Sequence, residues 1–374
     1  MQKDETVSGS EQHPKQFSAP VCDLIKGTIE RMRRLAIGYP TLDNRIDEDM
    51  GFVTPLMSQL VDEKVVKENS AADDVAAGYL EGMMTPKAFC GPSSRDRHAT
   101  ALTFWAFVRA IQDLSTTSGQ YGLNEVARNT GFFGHLSSTL RTFLDLEGMI
   151  DADSLIYWAD FASEHLEPEI GADFAIVHSL GNGRYKVAFL QAKRVQNDPN
   201  AYIGHYVKGK NQHQINILAD HEIFHLDKSS SNCGKPNEND LTIFGRWCFY
   251  VFWHEVGESG DLLLPTVRSA HSVRKTRESW TSSSLTAGVE FAAFVTLFLA
   301  DPASSVGYLV DVEAMPALFK GHRPSSLLFL DSPTNGLVPK AKVALLNKIG
   351  YAPASPGSRM VREIPQLEAK SFGL

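Results

Sequence analysis

The stretch Glu169–Arg194, EIGADFAIVHSLGNGRYKVAFLQAKR, decides how this chain is read. Two apolar runs, GADFAIV and RYKVAFLQAK, flank Asn182-Gly183. That pair favours a tight type I′ turn, because both central residues of such a turn need positive φ. The runs are therefore expected to form an antiparallel hairpin. Its open end brings Asp173, early in the first strand, beside Gln191 and Lys193, late in the second. Strand side chains alternate, so Gln191 and Lys193 share a face while Ala192 points the other way. Just upstream, SLIYWADFASEHLEP reads as a helix stopped near Pro168. Its end supplies Glu164 and Glu167, with Glu169 following, so acids, an amide and an amine are expected to converge.

Such a cluster suits phosphodiester hydrolysis assisted by a hard divalent cation, which takes oxygen ligands and keeps several of its waters. Mg²⁺ is the expected ion, with Mn²⁺ as a substitute. Asp173 is the principal candidate ligand, joined by a Glu, the amide oxygen of Gln191 and the carbonyl of Ala192. Lys193 is placed to orient or deprotonate the attacking water and to offset charge on the phosphate.

EIGADFAIV, a hairpin, and VAFLQAKR together resemble the PD-(D/E)XK nucleases, the restriction-endonuclease-like superfamily, in the variant whose second acid is Gln. Gly171, Ala172, Asp173, Gln191, Ala192, Lys193 and Arg194 carry the match. Further along the chain, QINIL with Gln214 and the strand-like RWCFYVFW resemble the segments C-terminal to QAKR in bacterial nuclease effectors used against phage and foreign DNA. The resemblance covers roughly residues 154–255, under a third of the 374. It implies an α/β fold with a mixed sheet flanked by helices, DNA as partner, and a catalytic set of Glu169, Asp173, Gln191 and Lys193. Glu169 is the nearest helix-side acid, with Glu167 and Glu164 as alternates. Nucleases that cut double-stranded DNA often need two active sites, so a homodimer is one expected arrangement, while strand preference stays open.

Outside this stretch the chain divides by texture. Residues 1–18 are polar and read as a disordered tail. Residues 19–150 read as mainly helical, from VCDLIKGTIERMRRLAIG, AADDVAAGYLEGMM, ATALTFWAFVRAIQDL and GHLSSTLRTFLDL, each with apolar residues at three- and four-residue spacing. This region is expected to sense a protein or nucleotide trigger, to recruit, or to dimerise. Residues 151–374 then hold the nuclease-like domain and a C-terminal extension. In that extension GYLVDV and SLLFL read as strands, and 285–300 and KAKVALLNKIG as helices.

The net charge of -8 argues against a protein coated in nucleic acid. Local basic residues remain: Arg184, Lys186, Arg194, Lys208 and Lys210 are candidate phosphate contacts, with Gln214 beside them. Arg268, Arg274, Lys275 and Arg277, near Trp280, form a second cluster. Four scattered cysteines and no secretory leader point to the cytoplasm. The most apolar run, Leu285–Ala300, carries Glu290 and falls short of the ~20 residues a span needs, so no membrane is expected.

Two other readings compete. His221-Glu222-Ile223-Phe224-His225 satisfies HExxH, the zinc motif of helical metalloproteases, with Glu238 or His254 available as third ligand. A nuclease fold without activity, serving as a DNA-binding or assembly subunit, accounts for the same hairpin.

Overall fold

The computed structural model describes residues 17–38, 94–118, 122–149, 156–160, 171–196, 200–226, 241, 243–255, 264–284, 288–299, 306–320, 323–331, 337 and 339–351. The helices are α1 (Ala19–Gly38), α2 (Ser94–Ser118), α3 (Glu125–Leu146), α4 (Gln214–Leu226), α5 (Ala270–Thr276), α6 (Phe291–Leu299), α7 (Met315–Phe319) and α8 (Pro339–Lys348). The early strands are β1 (Ile156–Asp160), β2 (Phe174–Gly181), β3 (Arg184–Val195), β4 (Asn200–Tyr202), β5 (Tyr206–Val207) and β6 (Gln212–His213). The later ones are β7 (Cys248–His254), β8 (Thr266–Ser269), β9 (Thr281–Ser283), β10 (Val289–Glu290), β11 (Tyr308–Asp311) and β12 (Ser326–Leu330). Two compact units result: Met1–Ala152 with His254–Thr266 and Leu285–Ser304, and Asp153–Trp253 with Val267–Ser284 and Ser305–Leu374. The chain first passes from one unit to the other at Ala152–Asp153, and two later segments return to the first unit.

In the first unit α2 is buried on nearly every side from Ala99 to Leu114, with Arg109 and Asp113, paired at 3.7 Å, marking its partly exposed stripe. α3 packs Phe132, Phe133, Leu136, Leu140 and Phe143 inward at helical spacing. It starts at Asn124, whose side chain accepts the Ala127 N–H at 2.8 Å, a cap that contributes about 1 kcal/mol. Phe107, Phe132 and Phe291 meet with ring centroids 5.4 to 6.3 Å apart. Arg128 lies inside this unit, its guanidinium donating to the His254 carbonyl and to Glu255 at 3.0 Å. Glu290 is buried with no hydrogen-bond partner on Oε2 among the described residues, and burial pushes its carboxyl up to about 8. The helical run AADDVAAGYLEGMM and the tail 1–16 lie outside the described residues.

The second unit is built on a mixed sheet running β1-β12-β2-β3-β7-β8, with β11 on the outer edge of β3's first half. Asn182 and Gly183 have φ of 53° and 74°, the positive pair that a type I′ turn demands, and β2 and β3 run back from it antiparallel. β12 enters parallel between β2 and β1. Odd-numbered residues of β3, Tyr185, Val187 and Phe189, face a core completed by Ile215 and Leu218 of α4, Met315 and Phe319 of α7, and Leu346 of α8.

One element differs in kind from its sequence pattern. Ile156–Asp160 is a strand, paired antiparallel with β12 from Ile156↔Leu330 to Asp160↔Ser326. The β-branched and aromatic start of IYWAD suits a pleat, and partnership with a strand some 170 residues onward outweighs the local helical spacing. The run KGKNQHQINILADHEIF, residues 208–224, has a helical pattern, yet the helix begins only at Gln214, after a short 3₁₀ turn, Lys208–Lys210, and the ribbon β5–β6. The helix expected over 285–300 is α6, Phe291–Leu299.

Candidate active site at the open end of the hairpin

Register carries Asp173 to Gln191, as the sequence led us to expect. Phe174 pairs with Leu190, and the Asp173 N–H donates to the Leu190 carbonyl at 2.9 Å. The Asp173 carboxylate then accepts two hydrogen bonds at one oxygen, from the Ala192 N–H and from Gln191 Nε2, both at 2.8 Å. Behind Gln191 stands Gln214, the first residue of α4, whose Nε2 donates to Gln191 Oε1 at 2.8 Å. The face that is aromatic through Phe189 thus turns polar at residue 191, where the core meets the surface. Lys193, two residues on, emerges on that face by strand alternation and is only 7% exposed.

Two features outside the motif fix this corner. Gly171 sits at φ 78°, and a Cβ there would lie 2.6 Å from the Gln214 carbonyl oxygen, so only glycine lets α4 approach. The Asp173 carbonyl accepts from Ser325 Oγ at 2.6 Å and from the Ser326 N–H at 3.1 Å, which ties the site to β12. Neither serine carried any local signal of this role.

Among the described residues no group of three or more His, Cys, Asp or Glu side chains gathers to hold a metal. Two oxygen donors of other kinds do meet here, the Asp173 carboxylate and the Ala192 carbonyl, joined by the Gln191 NH₂ that donates to them at 2.8 and 3.0 Å. These suit a hard cation. An amide's two ends are alike in size, and Gln214 Oε1 is buried without a hydrogen-bond partner among the described residues. Turning both amides end for end therefore keeps the Gln191–Gln214 bond with its direction reversed, and presents an oxygen to Asp173. Glu164, Glu167 and Glu169 lie outside the described residues.

The basic candidates separate on burial. Arg184, Lys208 and Lys210 are exposed and Arg194 half-buried. Lys186 is 1% exposed, enclosed where β2 and β11 flank β3, which removes it as a phosphate contact. Arg184 lies seven residues before Gln191, hence about 23 Å along the strand from the site. Gln214 is spent on Gln191. In the second cluster Arg268 is fully buried and donates to Ser272, Thr276, Ser282 and the Ser283 carbonyl. Arg274 pairs with Asp220 at 2.7 Å. Lys275 remains exposed, and Arg277 rests 4.8 Å from the Trp280 ring centroid.

His221 and Glu222 of the HExxH segment are spent on structure. Glu222 is fully buried, and one carboxylate oxygen accepts the Trp247 N–H at 2.8 Å and the Cys248 N–H at 3.2 Å. The other oxygen meets Arg246 at 3.4 Å. Burial pushes this carboxyl up, offset by Arg246 and the two amides. His221 is packed edge-on to Phe189 and against Trp247. A general base must reach a substrate water, and this one faces the start of β7 instead.

Searches against known proteins returned no matching family model, curated protein or solved structure.

Proposed function

We propose that the chain is a Mg²⁺-dependent deoxyribonuclease with a restriction-endonuclease-like core, hydrolysing DNA phosphodiester bonds in defence against phage or other foreign DNA. The observation that carries this reading is the convergence of Asp173, Gln191, Ala192 and Gln214 through four hydrogen bonds of 2.8 to 3.0 Å at the open end of the hairpin. Asp173, Gln191 and the Ala192 carbonyl would hold the metal, which supplies an acidified water and charge neutralisation at the phosphate. Gln214 orients the Gln191 amide. The Ala192 N–H fixes the Asp173 carboxylate. Lys193 brings a cation to the same face, where it offsets phosphate charge and orients the nucleophile. The helical unit is assigned to sensing or dimerisation.

The same geometry offers a second reading, a silent DNA-binding subunit, because Gln191 presents its NH₂ rather than its oxygen to Asp173. Plasmid and single-stranded DNA are incubated with Mg²⁺ or Mn²⁺ and wild type, Asp173→Ala, Lys193→Ala or His221→Ala, with folding checked for each. Cleavage that survives in His221→Ala and disappears in the other two supports the nuclease. DNA binding without cleavage in every metal supports the subunit and overturns the enzyme.

A further inference from the structure

Beside the candidate site lies a row of rings whose outer members, Tyr202 and Tyr206, are too exposed for core packing to explain. Tyr206 on β5 meets His213 on β6 edge-on at 5.1 Å, and its hydroxyl bonds to Asn211. His213 stacks on Trp280 with centroids 3.6 Å apart, while its Nδ1 lies 2.9 Å from the Gly204 carbonyl. Gly204 is the hinge of the row, since a Cβ there would lie 2.7 Å from Trp280 Cβ and 2.8 Å from the Tyr202 ring. The Ile203 N–H donates to the Trp280 carbonyl at 2.9 Å, and Tyr202 pairs with Thr281 across the β4–β9 ribbon. The rings that sit on these ribbons are not core: Tyr202 is 64% and Tyr206 43% exposed.

The charges beside the row have one dominant sign. Lys208 and Lys210 project from the exposed turn between β5 and β6, and Arg277 covers Trp280 at 4.8 Å. Glu278 is the exposed acid of the same loop, and Asp220 is paired with Arg274. The row also ends one residue from the site, because His213 precedes Gln214, which holds Gln191. The exposed rings of Tyr202 and Tyr206, flanked by lysine and arginine and braced by the His213–Trp280 stack, suit unpaired bases and their phosphates, since stacking accepts any base and the cations follow the backbone. A duplex keeps its bases stacked inside and offers such rings nothing.

We infer that the exposed rings Tyr206 and Tyr202, held in place by the His213–Trp280 stack between them, hold a single-stranded stretch of nucleic acid as it enters or leaves the Asp173 site, so the substrate is single-stranded or carries an unpaired end. This rests on the nuclease reading for its destination, but its test does not require cleavage.

Full-length protein is titrated in EDTA against fluorescein-labelled dT₂₀, an abasic strand of the same length, and a blunt duplex, with anisotropy as readout. Wild type is expected to bind dT₂₀ about tenfold tighter than the abasic strand. Tyr202→Ala with Tyr206→Ala, both exposed rings, brings dT₂₀ down to the abasic level and leaves the salt dependence unchanged. Lys208→Ala with Lys210→Ala weakens both strands alike and lowers the salt slope by about 1.4. Equal affinity for dT₂₀ and the abasic strand overturns the inference, as does a tyrosine pair variant that binds like wild type. Base-dependent binding by a protein that cleaves nothing upholds the ring row and removes the enzyme, whereas cleavage without base-dependent binding does the reverse.

Discussion

Two carboxylates of the second unit receive backbone N–H groups in similar fashion and differ in everything else. Glu222 is fully buried, takes the Trp247 and Cys248 amides, and faces Arg246 across a pair that is itself inside the protein. Asp173 takes the Ala192 amide and a Gln191 NH₂ but stays half-buried at a strand end, with Lys193 and Gln214 close behind. A carboxylate enclosed with its own cation is a clamp, because any change of charge there is costly. One at the rim of a core, held in place by amides, keeps access to a ligand. The HExxH segment and the Asp173–Gln191–Lys193 set are thus separated by burial rather than by their residue types.

The contrast is tested most severely at Glu222. Removing the carboxylate in Glu222→Ala leaves Arg246 and two amides buried without it, so urea unfolding should register a loss of about 3–5 kcal/mol. A loss under about 1 kcal/mol would mean that Glu222 is not the clamp described. Asp173→Asn should behave oppositely: unfolding moves by less than about 1 kcal/mol while Mg²⁺-dependent cleavage drops by about 10²- to 10³-fold. A variant that unfolds readily yet still cleaves would reverse the assignment.

Glu290, in the first unit, sharpens the comparison because it shares the burial of Glu222 without such partners. Its carboxyl is pushed up to about 8 from the ordinary 4.5, so the fold retains a proton that the unfolded chain gives up. The stability tied to that proton is complete below pH 4.5 and erodes at roughly 1.4 kcal/mol per pH unit until about pH 8. Glu290→Gln should flatten this slope between pH 5 and 8 in urea midpoints. Parallel pH profiles for wild type and variant would sink the idea. His254 works from the other side, since burial, with Arg128 adding to it, pushes its imidazole down to about 3. Its contribution is lost as pH falls through the range from 6.5 to 3.

The sequence made the hairpin and the meeting of Asp173 with Gln191 legible, because Asn182-Gly183 sets the register and alternation does the rest. It also placed β7, β11, β12, α2 and α3, whose apolar spacing was unambiguous. β1 was misread since a five-residue strand depends on β12, and nothing local to IYWAD announces a partner so far away. Charge misled at Lys186 and Arg268, because a letter reports charge and says nothing of enclosure. The expectation of α/β with a mixed sheet and flanking helices held at that coarse level. The ring row escaped notice for a related reason: Trp280 stands nearly 70 residues beyond His213, and only the ribbons bring them face to face.

The parallel insertion of β12 sets an order of events in time. Ser325 and Ser326 hold the Asp173 carbonyl, yet Ser325 is 152 residues further along the chain. At about 5–20 residues per second of synthesis, the hairpin emerges roughly seven to twenty-seven seconds before the strand that completes its corner. Until then the sheet lacks the strand between β1 and β2, and the Asp173 loop has no anchor on that side. A nascent chain, or any fragment ending before β12, therefore carries every residue of the motif without the finished site, so the cell meets an assembled centre only after the rest of the sheet is in place.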